Sequence, residues 1–559
     1  MPKIKRLTLR TALACTFLTA SLTAPALAKE APAQPVQPNF LVIVADDLGY
    51  SDLGAFGGEI STPNLDALAL SGVRLTGFHT APTCSPTRSM LMSGTDNHRA
   101  GLGNMAEATA PNQRGKPGYE GYLRADVAAL PERLQAAGYT TLFSGKWHLG
   151  LTPEQDPHSR GFEHSFALLQ GAHNHFGLGL STETPQALGK GSTYTEDGRV
   201  LSSLPADFYS SDYFATKLIS QLQAAQSEDA GKKPFFAYLA FTAPHWPLQA
   251  PADDVARYKG RYDQGFEILR QERLKRQEKL GLVPAGTAAH TPDLKKDWAS
   301  LTAEQKQAAA RDMEIYAAMV DRLDQNVGRV IAELKRSGEL DNTVIVFLAD
   351  NGAEGLTEES PLLAPRVAQS DNSFANRGKA NSFVAYGPGW AQAATAPSWK
   401  IKGYATEGGT RVVSFVSGKA VAKPGSVATA FLSVADIAPT LLDLAGAPAA
   451  GETFGGKPVQ PITGKSWVPY LRGQTDRVYG AQDAFGTELF GSRAIRQGDW
   501  KITDAGDGQW RLFNVAKDPG ETQDLAASHP DQLKKLAAEW DSYAKNVGII
   551  LPDNILYRP

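Results

Sequence analysis

Cysteine is almost missing from this chain: its 559 residues hold two, Cys15 and Cys84. Lys3, Lys5, Arg6 and Arg10 precede an apolar stretch over residues 11–22, and Ala26-Leu27-Ala28 follows it. A basic leader, a short apolar centre and an A-x-A site predict an export signal over residues 1–28, with the mature chain starting at Lys29. Lipid attachment at Cys15 is disfavoured, because Ala12 stands where a large aliphatic is expected. Cys15 leaves with the signal, so the mature chain keeps Cys84 alone. That excludes an internal disulfide and leaves one thiol to explain, either as a small buried hydrophobe or as a reactive group. Long apolar runs are missing too. Residues 11–22 are too few to span a bilayer and no later stretch reaches the length needed, so no transmembrane segment is expected. Basic stripes are also absent. The formal charge of −3 becomes four units more negative once the leader is removed, and nucleic acid is not an expected partner. No repeat at a solenoid period is present.

Hydrophobic residues make up 42% of the chain, enough for one large α/β core and a smaller domain. Short apolar runs read as buried parallel strands at residues 40–45 (FLVIVA), 139–143 (YTTLF), 235–241 (FFAYLAF) and 344–349 (VIVFLA). Helical patterns lie between them at 64–71, 128–137, 213–226 and about 303–337. This alternation predicts an α/β fold: a large mixed, mostly parallel sheet sandwiched by helices. After about residue 458 the pattern changes to short strands (SRAIRQG, DWKIT, QWRLFNV) and a final helix over 532–546, a small C-terminal antiparallel sheet capped by a helix. The expected division is 1–28 signal, 29–458 catalytic domain and 459–559 smaller α+β domain. Residues 255–312 read as an insertion whose charged stretch (FEILRQERLKRQEKLG) is expected to be a solvated helix without chemistry.

Ligands of such sheets bind beyond the carboxyl ends of the strands. Here the four runs end at Asp46-Asp47, at Lys146-Trp147-His148, at His245 and at Asp350-Asn351. One polar strand end is usually a turn or a helix cap. Four, all carrying metal- or proton-handling groups, point to a site.

Cys84-Ser85-Pro86-Thr87-Arg88, followed by Ser89-Met90-Leu91-Met92-Ser93-Gly94, has the pattern C-x-P-x-R with a downstream S-x-x-x-[ST]-G. It resembles the signature of the sulfatases, the formylglycine-dependent branch of the alkaline phosphatase superfamily. The resemblance extends over most of the mature chain. It includes Gly145-Lys146-Trp147-His148-Leu149-Gly150, Ala243-Pro244-His245-Trp246-Pro247, and residues 402–411 (KGYATEGGTR). Residues 434–446 and 512–525 match further blocks of the family, and GLGNMAE at 101–107 resembles the larger bacterial arylsulfatases in particular.

The resemblance implies that a maturation enzyme oxidises Cys84 to formylglycine, whose hydrate attacks sulfur. Asp46, Asp47, Asp350 and Asn351, with the modified Cys84, are implied as ligands of one Ca²⁺; hard oxygen donors suit that ion. Arg88, one helical turn beyond Cys84, is implied to hold the nucleophile and neighbouring carboxylates. Lys146 and Lys402 become sulfate contacts, Lys400 being the nearby alternative to Lys402. His148 is implied as a base and His245 as the group at the leaving oxygen. Gly171-Ala172-His173-Asn174-His175 stands where some relatives carry a Ser-His contact; either histidine reaches the site, or both lie at the surface. The expected activity is hydrolysis of aryl, and secondarily alkyl, sulfate esters by an exported enzyme. The rivals are a phosphonate monoester or phosphodiester hydrolase of the same superfamily and a non-catalytic sulfoglycan binder. Asn351, where the phosphoryl-transfer relatives tend to place histidine, favours sulfate.

Overall fold

The apolar runs become the centre of a ten-stranded sheet. The computed structural model describes residues 1–2, 37–187, 191–228, 233–448 and 451–555, so the expected export signal and Cys15 lie outside the described residues. Five parallel strands stand side by side in the order Thr343–Ala349, Asn39–Ala45, Phe235–Ala240, Thr140–Lys146 and His164–Leu168. Antiparallel strands close both flanks, Ser414–Ser417 beside Thr343–Ala349 and Tyr194–Glu196 beside His164–Leu168. The central strands are buried along their whole length, which is why their sequences are continuous apolar runs and do not alternate.

Helices cover the sheet. Ser210–Glu228 packs on Thr140–Lys146 and on the 34-residue helix Ala303–Arg336. That long helix starts at Thr302, whose side chain accepts from Gln305 N while Gln305 reaches back to the Thr302 amide, a reciprocal cap. No described helix is long and apolar enough to cross a membrane.

Four antiparallel strands, Ala484–Leu489, Ser492–Gln497, Trp500–Asp504 and Arg511–Asn514, form the small C-terminal sheet. Helix Pro530–Val547 lays Leu536 and Trp540 against Ile495, Ile502 and Leu512 of that sheet. Polar contacts tie this layer to the large sheet's loops: Lys501 Nζ lies 2.9 Å from Glu407 Oε1, and Tyr543 OH donates to Asp96 at 2.6 Å.

The charged stretch in residues 255–312 departs from expectation. It forms helix Phe266–Lys279, but Arg270, Arg273 and Gln277 on it are buried, not solvated. Arg273 Nη1 meets Asp52 at 2.5 Å and its Nε meets Glu59 at 2.9 Å. Arg270 donates to the carbonyls of His290, Pro397, Ser398 and Gln392. A charge run cannot be told from a solvated face without its partners, and all of these but His290 lie more than a hundred residues away, on either side. Paired in this way, the arginines take the place of apolar anchors.

Candidate active site

Every strand-end group foreseen from sequence falls at the carboxyl edge of the parallel strands. Asp46 and Asp47 follow Asn39–Ala45, Asp350 and Asn351 follow Thr343–Ala349, Lys146 ends Thr140–Lys146, and His245 lies just past Phe235–Ala240. The strands approach closely there. A Cβ at Gly145 would sit 1.9 Å from the Ala240 carbonyl oxygen, and its φ of 133° is one that glycine adopts freely. Asp47 and His148 are left-handed at φ 66° and 56°, costly geometry of the kind that concentrates where a side chain must be aimed.

Cys84 opens helix Cys84–Ser93 and is buried, the one free cysteine among the described residues. Pro86 is tolerated in this first turn because the amide it lacks would have no helical partner. Cys84 Sγ lies 3.4 Å from Asp46 Oδ1 and 3.8 Å from Asp47 Oδ1. Burial, with Asp350 close by, pushes the thiol well above its usual range. One turn on, Arg88 donates from Nε at 3.0 Å and from Nη2 at 2.8 Å to Asp350 Oδ2, and from Nη1 to the Lys146 carbonyl at 2.9 Å. Burial alone would raise Asp350, yet Arg88 together with Lys146 and Lys402 outweighs it and holds that carboxyl below the ordinary value. Lys146 Nζ sits 2.8 Å from Asp46 Oδ2, and burial against this pull brings Asp46 up to about 7.

On the other side, Lys402 Nζ lies 2.8 Å from Asp47 Oδ1 and 3.2 Å from Glu354 Oε2. Lys400 instead pairs with Asp293 and lies over the Tyr404 ring, away from this cluster. His245 Nδ1 faces the Trp246 carbonyl at 2.6 Å. A carbonyl only accepts, so Nδ1 carries the proton and Nε2, 3.5 Å from Asp47 Oδ2, presents its lone pair. Burial, then Lys402 and Lys146, hold His245 well below the usual imidazole range. His148 has the opposite tautomer. Its Nε2 donates to Glu107 Oε1 at 3.0 Å, while buried Nδ1 has no hydrogen-bond partner.

His173 and His175 are neither surface residues nor part of the cavity holding Cys84. His173 bridges Thr242 Oγ1 and the Tyr194 hydroxyl. His175 bridges Ser210 Oγ at 2.8 Å and the His245 carbonyl at 3.1 Å, which steadies the loop carrying His245. Burial lowers the His175 pKa to about 4, so it serves as a neutral strut.

Asp46, Asp47, Cys84 and His245 bring one ligand atom each within 4.8 Å of one another. Asn351 adds an oxygen. Its Nδ2 donates to Asp47 Oδ1 at 2.6 Å and to the Gly352 carbonyl at 2.9 Å, which fixes the amide and leaves Oδ1 buried without a partner. Three carboxylates and an orphaned amide oxygen fit a hard divalent cation.

Above the cluster lies a cavity of about 280 Å³ onto which Cys84, His148, His245 and Lys402 open. Met105, Ala108, Leu362 and Trp246 give it an apolar wall. Sequence reading assigned no role to Glu107, Glu354, Trp246 or Arg366, all of which stand at this cluster or its cavity. Glu107 closes the GLGNMAE block and Trp246 follows His245, so those two carried a signal; Glu354 and Arg366 sit in no matched block.

The sequence model of the sulfatase family matches residues 38–447. The chain belongs to the sulfatase family. It is 50% identical over 541 residues to an uncharacterized sulfatase of Schizosaccharomyces pombe, covering 94% of this chain and 96% of that one. An arylsulfatase of Klebsiella aerogenes is 41% identical over 441 residues, covering 78% of this sulfatase and 92% of the relative. Among solved structures, Ps i-CgsB superposes with a TM-score of 0.64 at 26% identity over 91% of this chain and 93% of that one. PsFucS1 sulfatase from Pseudoalteromonas sp. shares the fold at TM-score 0.57 and 21% identity, over 91% and 90% of the two chains.

Proposed function

We propose that this sulfatase is an exported arylsulfatase. It cleaves aryl sulfate esters, and secondarily alkyl esters, to a phenol or alcohol plus inorganic sulfate, using Cys84 matured to formylglycine and one Ca²⁺. The observation that carries this reading is Cys84 itself, buried among acids and cations and opening onto an apolar-walled cavity of about 280 Å³.

The charge balance supports the cation. Four carboxylates (Asp46, Asp47, Asp350 and Glu354) face three fixed cations (Arg88, Lys146 and Lys402). A divalent ion turns that deficit into one positive excess, the charge that a sulfate monoester neutralises. Asp46, Asp47, Asp350, Asn351 and the modified Cys84 would hold the ion, which when bound supplies a Lewis acid beside the nucleophilic oxygen. Formylglycine supplies that oxygen as a hydrated aldehyde.

The remaining work falls to the chain's own side chains. Arg88 anchors Asp350 and offers charge to the reacting centre. Lys146 and Lys402 stand on opposite sides of the carboxylates, placed to receive sulfuryl oxygens. Lys402, and His245 once it is protonated at Nε2, stabilise the leaving oxygen. His148, with Nε2–H engaged by Glu107, accepts a proton at Nδ1. The apolar wall packs the aryl group and excludes water. Export follows from the basic leader and A-x-A site, and residues 29–458 and 459–559 serve as catalytic and smaller C-terminal domains. The phosphonate or phosphodiester reading finds no support in Asn351 or in the relatives.

The test is the mass of the peptide containing residue 84 from active protein made in its native host. It is expected to be lighter than the thiol form and to react with hydrazide probes. Free, alkylatable thiol alone in a fully active preparation would overturn the mechanism. Cys84→Ala is expected to fold and to be inactive.

A further inference from the structure

The catalytic cavity contains one cation that the chemistry above does not use. Arg366, on the short helix Ala364–Val367, lines the same cavity as Cys84 and Lys402. Among the described residues no hydrogen bond, ion pair or aromatic ring engages its guanidinium. The carboxylate whose charge most affects it is Glu107, whose Oε1 accepts from His148 Nε2. Leu362 and Val367 on its own segment pack with Trp246 and Met105, while the second cavity that Arg366 lines has polar walls as well, among them Gln170, Asn174 and Ser192. Burial in that setting lowers its pKa. The guanidinium is half-buried and, among the described residues, has no acceptor, so only solvent meets it, and a fold that merely closed its cleft would place an aliphatic side chain there.

Arg366 also lines a second cavity of about 150 Å³, and the two share Ala172, Ala187, Trp246 and Arg366 as walls. It therefore stands where the cavity over Cys84 meets a second one, into which the far end of an aryl group seated over Cys84 could extend.

We propose that Arg366 forms a subsite for a second anionic group of the substrate, a carboxylate or further sulfate carried on the aryl moiety away from the scissile ester. A guanidinium fork matches a planar carboxylate or a sulfate with two parallel hydrogen bonds, and the bound anion removes the cost of the unpaired charge. Trp246 and Leu362 flank the ring between the two anionic ends. This assignment rests on the arylsulfatase reading and narrows it to doubly anionic esters.

The experiment compares 4-(carboxymethyl)phenyl sulfate with its primary amide, whose methylene keeps the two phenols similar as leaving groups. With Ca²⁺-loaded, formylglycine-bearing enzyme, the carboxylate is expected to be preferred about tenfold or more in kcat/KM, mainly through KM. Arg366→Gln is expected to abolish that preference and Arg366→Lys to restore part of it, with thermal melting showing both variants folded. Equal kcat/KM for the two esters in the wild type, or a preference that survives Arg366→Gln, overturns the subsite. So does a parallel loss on both esters, which would make Arg366 a counter-charge for Glu107. Calorimetry with 4-hydroxyphenylacetate and its amide reads the same preference without turnover. An Arg366-dependent preference there, with neither ester hydrolysed, would sink the arylsulfatase reading and leave the anion subsite standing.

Discussion

Glu107 Oε1 lies 3.0 Å from His148 Nε2, and this contact decides which nitrogen of the imidazole is left for chemistry. Burial works against ionisation of Glu107, but His148 outweighs it and holds the carboxyl below its ordinary pKa. An ionised carboxylate only accepts, so the ring proton stays on Nε2 and Nδ1 keeps its lone pair. The ring is also wedged from behind: a Cβ at Gly171 would lie 2.5 Å from His148 Cε1.

Glu107→Gln keeps an acceptor for Nε2–H but removes the charge that favours imidazolium. His148 becomes less basic, so the acidic limb of the kcat profile is expected to move to lower pH with a modest loss at the plateau. Glu107→Ala releases the tautomer and is expected to cost about 10²-fold, the scale of one general base. Pre-steady-state phenol release checks the same role, since His148→Ala is expected to show a burst of phenol ahead of sulfate. A wild-type pH profile in both Glu107 variants would refute the assignment.

His245 is expected to matter most for poor leaving groups. Acidic phenols depart with their charge already comfortable, whereas simple phenols and alcohols need a donor. His245→Ala should therefore steepen the dependence of rate on leaving-group pKa, within the ~10²–10⁴-fold range of acid catalysis. A phenyl sulfate series measures it. Equal slopes for wild type and variant would assign the donor to Lys402 alone.

The two predictions differ in how far sequence reached them. His148 and His245 were legible because each follows a buried strand run, and the strand end places the group. Their tautomers were not legible, since those depend on Glu107, 41 residues away, and on the Trp246 carbonyl. The central strands were foreseen to within a few residues because burial on both faces writes a continuous apolar run. The antiparallel flank strand Ser414–Ser417 was not, being four residues long and defined by its neighbours. Arg366 was invisible for the same reason as Arg273: a charged residue says nothing of its surroundings until the chain folds around it.

Chelation is expected to lower both activity and thermal stability, and Ca²⁺ to restore them. Asn351 Oδ1 is buried without a partner, and the three neighbouring carboxylates repel one another without a cation. A ligand bound only by the folded state stabilises it by about 2.7 kcal/mol at a hundredfold excess over Kd. Prolonged dialysis against chelator followed by calorimetry measures this. A melting temperature indifferent to both treatments would argue against a resident ion.

Arg273→Met is expected to destabilise strongly. The side chain is fully buried between Asp52 and Glu59, and methionine fills much of its volume but leaves Asp52 without its cation and Glu59 with only the longer contact to Arg276 at 3.4 Å. Breaking a buried pair from one side typically costs about 3–5 kcal/mol. Exposed Lys275 on the same helix gives the control, since Lys275→Met should change the denaturation midpoint little. Similar midpoints for both variants would return this helix to the solvated role its composition suggested.

His98 links the large sheet's loops to the C-terminal layer, and its charge state sets a pH dependence of stability. Its Nδ1 lies 3.1 Å from Asp96 Oδ1, and its Nε2 lies 3.9 Å from Glu488 on the small sheet. Burial works against the imidazolium, but the two carboxylates prevail and raise the pKa from the ordinary 6.5 to about 9. A group raised on folding stabilises fully below its unfolded pKa and loses that contribution as pH rises through its folded one. The stabilisation is therefore complete below about pH 6.5 and disappears by about pH 9, on the order of 3 kcal/mol over that window. His98→Gln cannot titrate, so the wild type's advantage over it is expected to be largest at pH 6 and to shrink steadily towards pH 9.5. Equilibrium unfolding of both proteins across that range measures the difference. A gap that stays constant with pH would mean that His98 is neutral in the fold and that its contacts are those of a packed ring.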